Sequence, residues 1–268
     1  MLELLEQLFR QVRYYAQSER FDRNRVYSQS PKHVTMQFDR DAEDIIITGL
    51  EESGHGFEVV TEERPTFSTT PNPPYRILVD PIDGSENVTK GIMSAAIALA
   101  VLPIDMPVVP EQVLWALVGD LFTGTVYVAQ KGNGAFRNGL RCQVSNVKSI
   151  QHCLAGVSMD GRSHRALQRL FTEKPRLSRL RRMGSAAIDC VYVASGTYDA
   201  YIDMGEALTG ESFLASACIV LEAGGVVSDH QGKPLRSITN LSEKFSLVTA
   251  ATRELHAEIV ARLNHKKA

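Results

Sequence analysis

The sequence lacks several features that would assign it to a specialised class of protein. No apolar run in its 268 residues reaches the length needed to cross a bilayer, and no linker or internal repeat divides the chain. Basic and acidic residues nearly balance, 29 against 31, which excludes bulk electrostatic attraction to nucleic acid or to a membrane surface. These absences predict a soluble globular protein with one large or two small domains.

Cysteine is scarce, and its spacing does not match any common metal-binding knuckle. The four residues stand far apart, at Cys142, Cys153, Cys190 and Cys218. Cys190 and Cys218 lie within apolar runs, which predicts buried thiols. The N-terminal segment is acidic and amphipathic rather than typical of a signal peptide. Together these features predict a reducing, cytoplasmic setting.

What the sequence does contain is a strand-like segment that ends in two carboxylates. The run from Tyr75 to Val79 is rich in Ile, Leu and Val and predicts a buried strand. We expect it to end at Asp80, because Pro81 cannot donate a hydrogen bond to a ladder. Asp83 then places a second carboxylate three residues further on. Two close carboxylates suit a hard divalent cation such as Mg²⁺, which prefers oxygen ligands.

The residues after the second carboxylate suit an anion. Gly84 would let a bound group approach the backbone closely, and Ser85 is a good N-cap for a short helical turn beginning at Glu86. Unsatisfied N–H groups at a helix start favour phosphate. A metal beside a phosphate is the basic equipment for hydrolysing a phosphate ester.

Taken alone, Asp-Pro-x-Asp-Gly is most often only a polar turn. Three other stretches change this interpretation, and they are Glu62-Glu63, Arg182-Met183-Gly184-Ser185-Ala186-Ala187-Ile188-Asp189 and Glu222-Ala223-Gly224-Gly225. In this order and spacing, the set resembles the inositol monophosphatase family and its relatives, the archaeal-type fructose bisphosphatases and the nucleotide 3′-phosphatases. The resemblance extends from about Thr35 to Gly225, and taken together its motifs are highly specific.

The resemblance implies an α+β fold, a layered α-β-α-β-α sandwich, and a homodimer. We expect residues 1–268 to form a single phosphatase domain. Two subdomains are possible within it, with residues 1–147 carrying the metal motifs and residues 148–268 forming the substrate side.

The resemblance also implies roles for individual residues. Mg²⁺ would be held by Glu62, Asp80, the carbonyl of Ile82 and Asp83. The attacking water would be positioned by Glu62 with Ser85 and Asp39. The N–H groups of Gly84 and Ser85 would hold the phosphate, and the turn formed by Gly184, Ser185 and Ala186 would meet the sugar or inositol ring. From its own segment alone, however, Asp39 is better explained as a helix N-cap.

One position departs from the family pattern. Counting back ten residues from Glu222 places Ser212 where the family has an Asp that completes a second metal site. A serine hydroxyl is a much poorer ligand for Mg²⁺ than a carboxylate. Glu211 is about 100° away round a regular helix, so we expect it to point elsewhere unless the first turn is irregular. Glu206, in the preceding loop, could reach the site.

Two classes of function therefore stay open at the level of sequence. The first is a Mg²⁺-dependent phosphomonoesterase acting on a small polyol or sugar phosphate. The second is a catalytically weakened or inactive phosphatase-fold protein that binds a phosphorylated ligand, because Ser212 replaces the expected acid. A nucleotide 3′-phosphatase would need an adenine pocket, and no segment indicates one.

Periodicity and turn residues predict the elements of the chain. We expect helices at residues 2–15, 40–52, 162–172, 184–194, 213–221 and 254–264. Strands are predicted at residues 57–61, 75–80, 93–102, 113–118, 125–130, 153–157, 199–203, 226–227 and 245–250. Residues 21–32 are predicted to be a mobile loop and residues 64–74 a Pro-rich surface loop. The arginines at 176, 179, 181 and 182 are more typical of a solvated face than of a phosphate site.

Overall fold

The computed structural model describes residues 1–29, 34–159, 164–204 and 207–265. In chain order, the helices of these residues are α1 (Leu2–Ala16), α2 (Gln37–Glu52), α3 (Ser85–Lys90), α4 (His164–Thr172), α5 (Ala186–Ala194), α6 (Gly210–Glu222) and α7 (Arg253–Asn264). A single 3-10 turn covers Pro110–Gln112. Within this part of the chain, no helix is long and apolar enough to span a bilayer.

The strands of the same residues fall into three sheets. They are β1 (Val26–Gln29), β2 (Val34–Met36), β3 (Phe57–Thr61), β4 (Phe67–Ser68), β5 (Tyr75–Asp83), β6 (Ala96–Pro103), β7 (Trp115–Asp120), β8 (Val126–Gln130), β9 (Gly134–Arg137), β10 (Leu140–Arg141), β11 (Leu154–Val157), β12 (Arg179–Arg181), β13 (Ala200–Asp203), β14 (Val226–Ser228) and β15 (Leu247–Ala250). β1 and β2 form a small antiparallel pair.

The larger sheet has eight strands in the order β10-β9-β8-β7-β6-β5-β3-β4. All its neighbouring pairs are antiparallel except β3 with β5, which run parallel. β6 is buried along nearly its whole length, as expected for a central strand covered on both faces. The smaller sheet has the order β12-β11-β13-β15-β14 and contains two parallel pairs.

Helices cover both sheets and also separate them. α1 and α2 pack on one face of the large sheet, where Leu5, Leu8, Phe9 and Val12 present the buried stripe of α1. α5 and α6 pack between the two sheets, and α6 is buried almost all round because it has a sheet on each side. α4 and α7 cover the outer face of the small sheet. The predicted α-β-α-β-α order of layers is therefore confirmed.

Three predictions about strands and loops are wrong. β5 does not end at Asp80 but continues to Asp83, and its register with β6 shifts between those two residues. Pro81 lies inside this irregularity, where the ladder is interrupted and the missing N–H does no harm. Residues 26–29, expected in a mobile loop, form β1, and the loop predicted at 64–74 contains the short strand β4. Residues 30–32 lie outside the described residues.

The helix and strand predictions otherwise agree with the structure to within a few residues, and β3 matches its predicted bounds. All four cysteines are buried free thiols, as predicted for Cys190 and Cys218. The division of the chain into halves at residue 148 stays a prediction. The large sheet draws its strands from residues 57–141, whereas the small sheet draws them from residues 154–250.

Candidate active site

The parallel pairing of β3 with β5 brings two of the predicted site residues together. Thr61 pairs with Val79 at the end of β3, so Glu62 and Asp80 are the next residues along two neighbouring parallel strands. The carboxyl ends of parallel strands lie at the same edge of a sheet, which is where such folds place ligands. Glu62 and Asp80, eighteen residues apart in sequence, thus meet through the topology of the sheet.

Residues 80–85, which we call the metal motif, lie at the irregular end of β5 and in the turn that follows it. Asp80 and Asp83 are both buried, and Gly84 follows with φ of 98°. A Cβ at Gly84 would lie 2.9 Å from the carbonyl oxygen of Ser94, so both the backbone conformation and the packing require glycine here. The N-cap of α3 is Gly84 and not Ser85, because Ser85 is already helical.

The Ser85 side chain joins this turn to the start of α2. Its Oγ lies 2.7 Å from Asp39 Oδ1 and 2.8 Å from the carbonyl oxygen of Ile82. Asp39 is not the N-cap of α2, which is Met36. Asp39 occupies the third helical position, and its Oδ2 accepts a bond of 3.3 Å from the Met36 N–H. The N-cap interpretation of Asp39 is therefore wrong, and its carboxylate faces the motif.

The Gly-Ser-Ala-Ala turn contacts the metal motif directly. The Ser185 hydroxyl donates to Asp83 Oδ2, and the Ala187 N–H donates to the same oxygen at 2.8 Å. Ser185 is also the N-cap of α5, where its Oγ accepts from the Ile188 N–H at 3.3 Å. The first turn of α5 thus holds one oxygen of Asp83, about a hundred residues away in sequence.

The acids of the site are crowded and shielded from water. Burial raises the pKa of Asp80 well above its usual value, and the charges of Asp83, Glu62 and Glu211 raise it further. Burial likewise raises the pKa of Asp83, against the bonds from Ser185 and Ala187. Buried carboxylates that repel one another in this way would be stabilised by a bound cation.

Ser212, which departs from the family pattern, contacts the metal motif in the structure. Ser212 Oγ donates to Asp80 Oδ2 at 2.8 Å, so the hydroxyl bonds to a carboxylate of the motif. Glu211 was expected to point elsewhere, but its side chain is 3 % exposed and it contributes to the raised pKa of Asp80. Its Oε2 is buried with no hydrogen-bond partner. Burial, opposed by a bond from Thr209, raises the pKa of Glu211 to about 7. Glu206 lies outside the described residues.

A cavity of about 470 Å³ opens beside these residues. Its walls include Asp83, Ser212 and the three residues of the predicted ring-binding turn, Gly184, Ser185 and Ala186. Sequence reasoning missed several other lining residues, among them Asn87, Lys90, Ser158, Asp189, Tyr201 and Asp203. Asp189 had a signal, because it closes the Gly-Ser-Ala-Ala motif, whereas the others follow no pattern that marks a site.

Asn87 shows why such residues escape a sequence search. Its Nδ2 donates to the carbonyl oxygens of Ser94 and Met183, at 2.8 and 2.7 Å, and so ties the helix after the metal motif to the segment before α5. Of the arginine cluster, β12 is exposed and only Arg182 lines the cavity. This arrangement agrees with a solvated face for most of the cluster.

The donor set suits a hard cation, because it consists of carboxylate oxygens and a backbone carbonyl in a buried, mutually repulsive group. Across residues 1–29, 34–159, 164–204 and 207–265, no group of three or more His, Cys, Asp or Glu side chains is already arranged to hold a metal ion. Hydrogen bonds occupy one oxygen of Asp80 and one of Asp83. The chemistry of the donors fits a cation, and the other carboxylate oxygen of each residue is not used by these bonds.

The layered fold and this acid-lined cavity define a class of protein, the phosphatases of the inositol monophosphatase fold. The model of the inositol monophosphatase family matches residues 3–268. The chain is 33% identical, over 85% of its length and 83% of the relative's, to a fructose-1,6-bisphosphatase/inositol-1-monophosphatase of Methanothermobacter thermautotrophicus. It is 31% identical to an inositol-1-monophosphatase of Mesorhizobium japonicum, over 77% of this chain and 76% of that one.

A solved structure supports the same assignment. The Thermotoga maritima IMPase superposes with a TM-score of 0.78 at 26% identity, covering 98% of this chain and 96% of that chain. The chain belongs to the inositol monophosphatase family, which is a family of phosphatases, and it is an inositol monophosphatase-like hydrolase.

Proposed function

We propose that this protein is a Mg²⁺-dependent phosphomonoesterase that hydrolyses a small polyol or sugar phosphate. The observation that carries the proposal is the proximity of Glu62, the residue after β3, to Asp80 on the parallel neighbour β5, beside Asp83 and the turn at Gly84. The names of the relatives from Methanothermobacter thermautotrophicus and Mesorhizobium japonicum point to the same substrate class.

The residues divide the work between metal, water and phosphate. Glu62, Asp80, the Ile82 carbonyl and Asp83 would hold Mg²⁺, which when bound supplies a Lewis acid for the phosphate ester. Glu62, with Ser85 and Asp39, would orient the attacking water. The bond between Ser85 Oγ and Asp39 Oδ1 fixes that hydroxyl for this role.

Two neighbouring turns would bind the substrate. The N–H groups of Gly84 and Ser85, at the start of α3, would hold the phosphate, because a helix start presents donors and a positive dipole end. Gly184, Ser185 and Ala186, which line the cavity, would meet the sugar or inositol ring. Asp189, which lines the same cavity, would then face the leaving group.

Ser212 keeps a second function in view. In the alternative proposal the protein binds a phosphorylated ligand without turning it over efficiently, because a hydroxyl stands where a metal-binding acid is expected. The buried, unpartnered oxygen of Glu211 favours the enzyme, since it could supply the missing negative charge beside Asp80.

Activity assayed across a panel of phosphate esters with Mg²⁺ and with Mn²⁺ tests the proposal. We expect hydrolysis of at least one polyol or sugar phosphate that stops when the metal is chelated. Binding of these esters without turnover under either metal would instead support the binding protein. Phosphate or sulfate in a crystal should lie against Gly84 and Ser85; full occupancy only at Arg179 would count against the enzyme.

We also infer a cytoplasmic homodimer. The four free thiols support a reducing compartment, and the family resemblance supports the dimer. Sedimentation at several protein concentrations tests the assembly.

A further inference from the structure

A carboxylate stands on the buried face of α2, one helical turn after Asp39. Phe38, Ala42, Ile46 and Leu50 form this face, and Glu43 lies among them with 0 % of its surface exposed. A buried carboxylate is costly unless charged or hydrogen-bonded partners surround it. The identity of those partners indicates what Glu43 does.

Among the described residues, the hydrogen-bond partners of Glu43 come from α2 itself or from the segment that carries Glu62. The Thr61 hydroxyl donates to Glu43 Oε1 at 2.7 Å. The Arg64 Nε donates to Oε2 at 2.7 Å, and the Arg40 Nη1 donates to Oε2 at 3.0 Å. Glu43 therefore holds the residue before Glu62 and the second residue after it.

The remaining residue of this segment is held as well. The same Arg40 Nη1 donates to the carbonyl oxygen of Glu63 at 2.9 Å, and the Thr35 hydroxyl donates to Glu63 Oε2 at 2.7 Å. Residues 61, 63 and 64 are thus all fixed to the start of α2 or to β2. The two guanidinium groups meet at one carboxylate, so Glu43 is the centre of this network.

The position of Glu62 explains why such a network is needed. The pairing of β3 with β5 ends at Thr61, so the ladder does not fix Glu62 itself. Glu62 also lies close enough to Asp80 and Asp83 to raise the pKa of each, which means that the acids repel one another. Contacts beyond the ladder therefore help to hold the segment against this repulsion.

We propose that Glu43 is a positioning residue, which fixes residues 61–64 so that the Glu62 carboxylate faces Asp80 and Asp83. α2 would then set both sides of the site, because Asp39, one turn earlier, is bonded to Ser85 of the metal motif. The inference rests on the proposed metal-dependent function. Partners that orient metal ligands commonly change metal affinity by about 10- to 100-fold when they are removed.

Glu43→Gln tests the proposal, because the amide keeps an acceptor for Thr61 but loses the charge that the two arginines need. In the folded full-length protein, we expect the Mn²⁺ concentration for half-saturation, measured by calorimetry, to rise by about tenfold or more. The Mg²⁺ concentration for half-maximal activity should rise in parallel, whereas kcat at saturating metal should change much less. A purely structural role would lower the melting temperature and leave metal affinity unchanged, and that result would overturn the proposal.

Asp44→Asn is the matched control. Asp44 is the next residue on α2. Its side chain is 55% exposed, and its Oδ1 forms an ion pair with Nη2 of Arg64. We expect the metal affinity of the Asp44→Asn variant to equal that of the wild type. A weakening as large as that of Glu43→Gln would mean that any loss of charge near Arg64 has this effect, and it would overturn the specific role of Glu43.

Substitutions at Thr61 keep the test decisive if Glu43→Gln does not fold. Thr61→Val removes the hydroxyl that donates to Glu43 and should weaken metal binding, whereas Thr61→Ser keeps the hydroxyl and should restore it. Equal affinities of the two variants and the wild type would refute the inference. Wild-type protein without metal binding or metal-dependent turnover would instead refute the proposed function itself.

Discussion

Asp80 is a buried acid surrounded by other acidic side chains, and this arrangement does not favour folding. The side chain is 3 % exposed and has Asp83, Glu62 and Glu211 as acidic neighbours, while Ser212 supplies a neutral hydrogen bond. Such a group costs stability in the absence of a cation, and proteins accept that cost at functional sites. The acids are therefore better explained by what they bind than by what they contribute to folding.

Asp80→Asn should abolish the metal-dependent activity and leave the fold intact. The amide removes one charge with little change of shape, and its oxygen can still accept from Ser212 Oγ. We expect turnover to fall by roughly 100-fold or more, since a Lewis acid contributes several kcal/mol to the transition state. The melting temperature should stay the same or rise, because a repulsive buried charge is lost. Asp105→Asn, an exposed position, is the control; unchanged turnover in Asp80→Asn would contradict the proposed site.

Ser212→Asp should lower the Mg²⁺ concentration needed for half-maximal activity and raise turnover. The affinity of a site for hard cations follows the charge of its ligands, and a carboxylate in the first turn of α6 also suits the helix dipole. Ser212→Ala separates this gain from the loss of the bond to Asp80. Metal titrations of the three proteins decide the matter. If wild type and Ser212→Asp coincide, Glu211→Gln should raise the required Mg²⁺ several-fold, because Glu211 then supplies the charge.

Among the elements, β5 and α6 show how tertiary contacts override local signals. β5 runs past Pro81 because the register shift against β6 removes the need for its N–H. α6 begins at Gly210, so both Glu211 and Ser212 lie in its first turn; Ser212 bonds to Asp80 of β5, and the charge of Glu211 acts on the same residue. Each element ends or begins where a contact from elsewhere in the chain requires it.

His256 on α7 should make the stability of the outer layer depend on pH. Its Nε2 lies 2.7 Å from Ser228 Oγ on β14, and burial lowers its pKa below the usual value near 6.5. As the pH falls, the unfolded chain therefore binds a proton at His256 at a higher pH than the folded chain does. The stabilisation by neutral His256 is complete above pH 6.5 and is lost as the pH falls through the lower folded-state pKa.

Denaturant unfolding of wild type and His256→Gln between pH 7 and pH 5 measures this contribution. The glutamine can keep a hydrogen bond to Ser228 but does not titrate. We expect the free energy of unfolding of the wild type to fall relative to that of the variant as the pH is lowered. His152→Gln, at an exposed position, should follow the wild type. Parallel pH profiles for His256→Gln and wild type would exclude a buried, neutral His256.

At the scale of the whole molecule, the core between the two sheets joins both halves of the sequence. One continuous apolar cluster contains residues of the large sheet, such as Leu78 and Leu102, together with Phe213 of α6 and Leu247 of β15. α5 and α6 lie between the two sheets, and each of these helices contacts strands of both sheets. Neither sheet can be uncovered without exposing this shared core.

The protein should therefore unfold in a single cooperative transition. Calorimetry should give equal calorimetric and van't Hoff enthalpies for the wild type, as for one domain. A fragment of residues 1–147 should fail to fold, because the face of its sheet that α5 and α6 cover would be exposed to water. Two separate transitions, or a stably folded fragment, would favour two subdomains divided near residue 148.

The sequence by itself determined the family and most of the longer elements. Apolar periodicity is a local property, so it predicted β3, β6, α1 and α5 to within a few residues, and the motif around Asp80 predicts the chemistry of the site. Only the tertiary structure decided the burial of Glu211 close to Asp80, the bond between Asp39 and Ser85, and the network around Glu43. These features depend on residues brought together from distant parts of the chain. No local pattern encodes such contacts, because the sequence does not distinguish a buried acid on a helix from an exposed one.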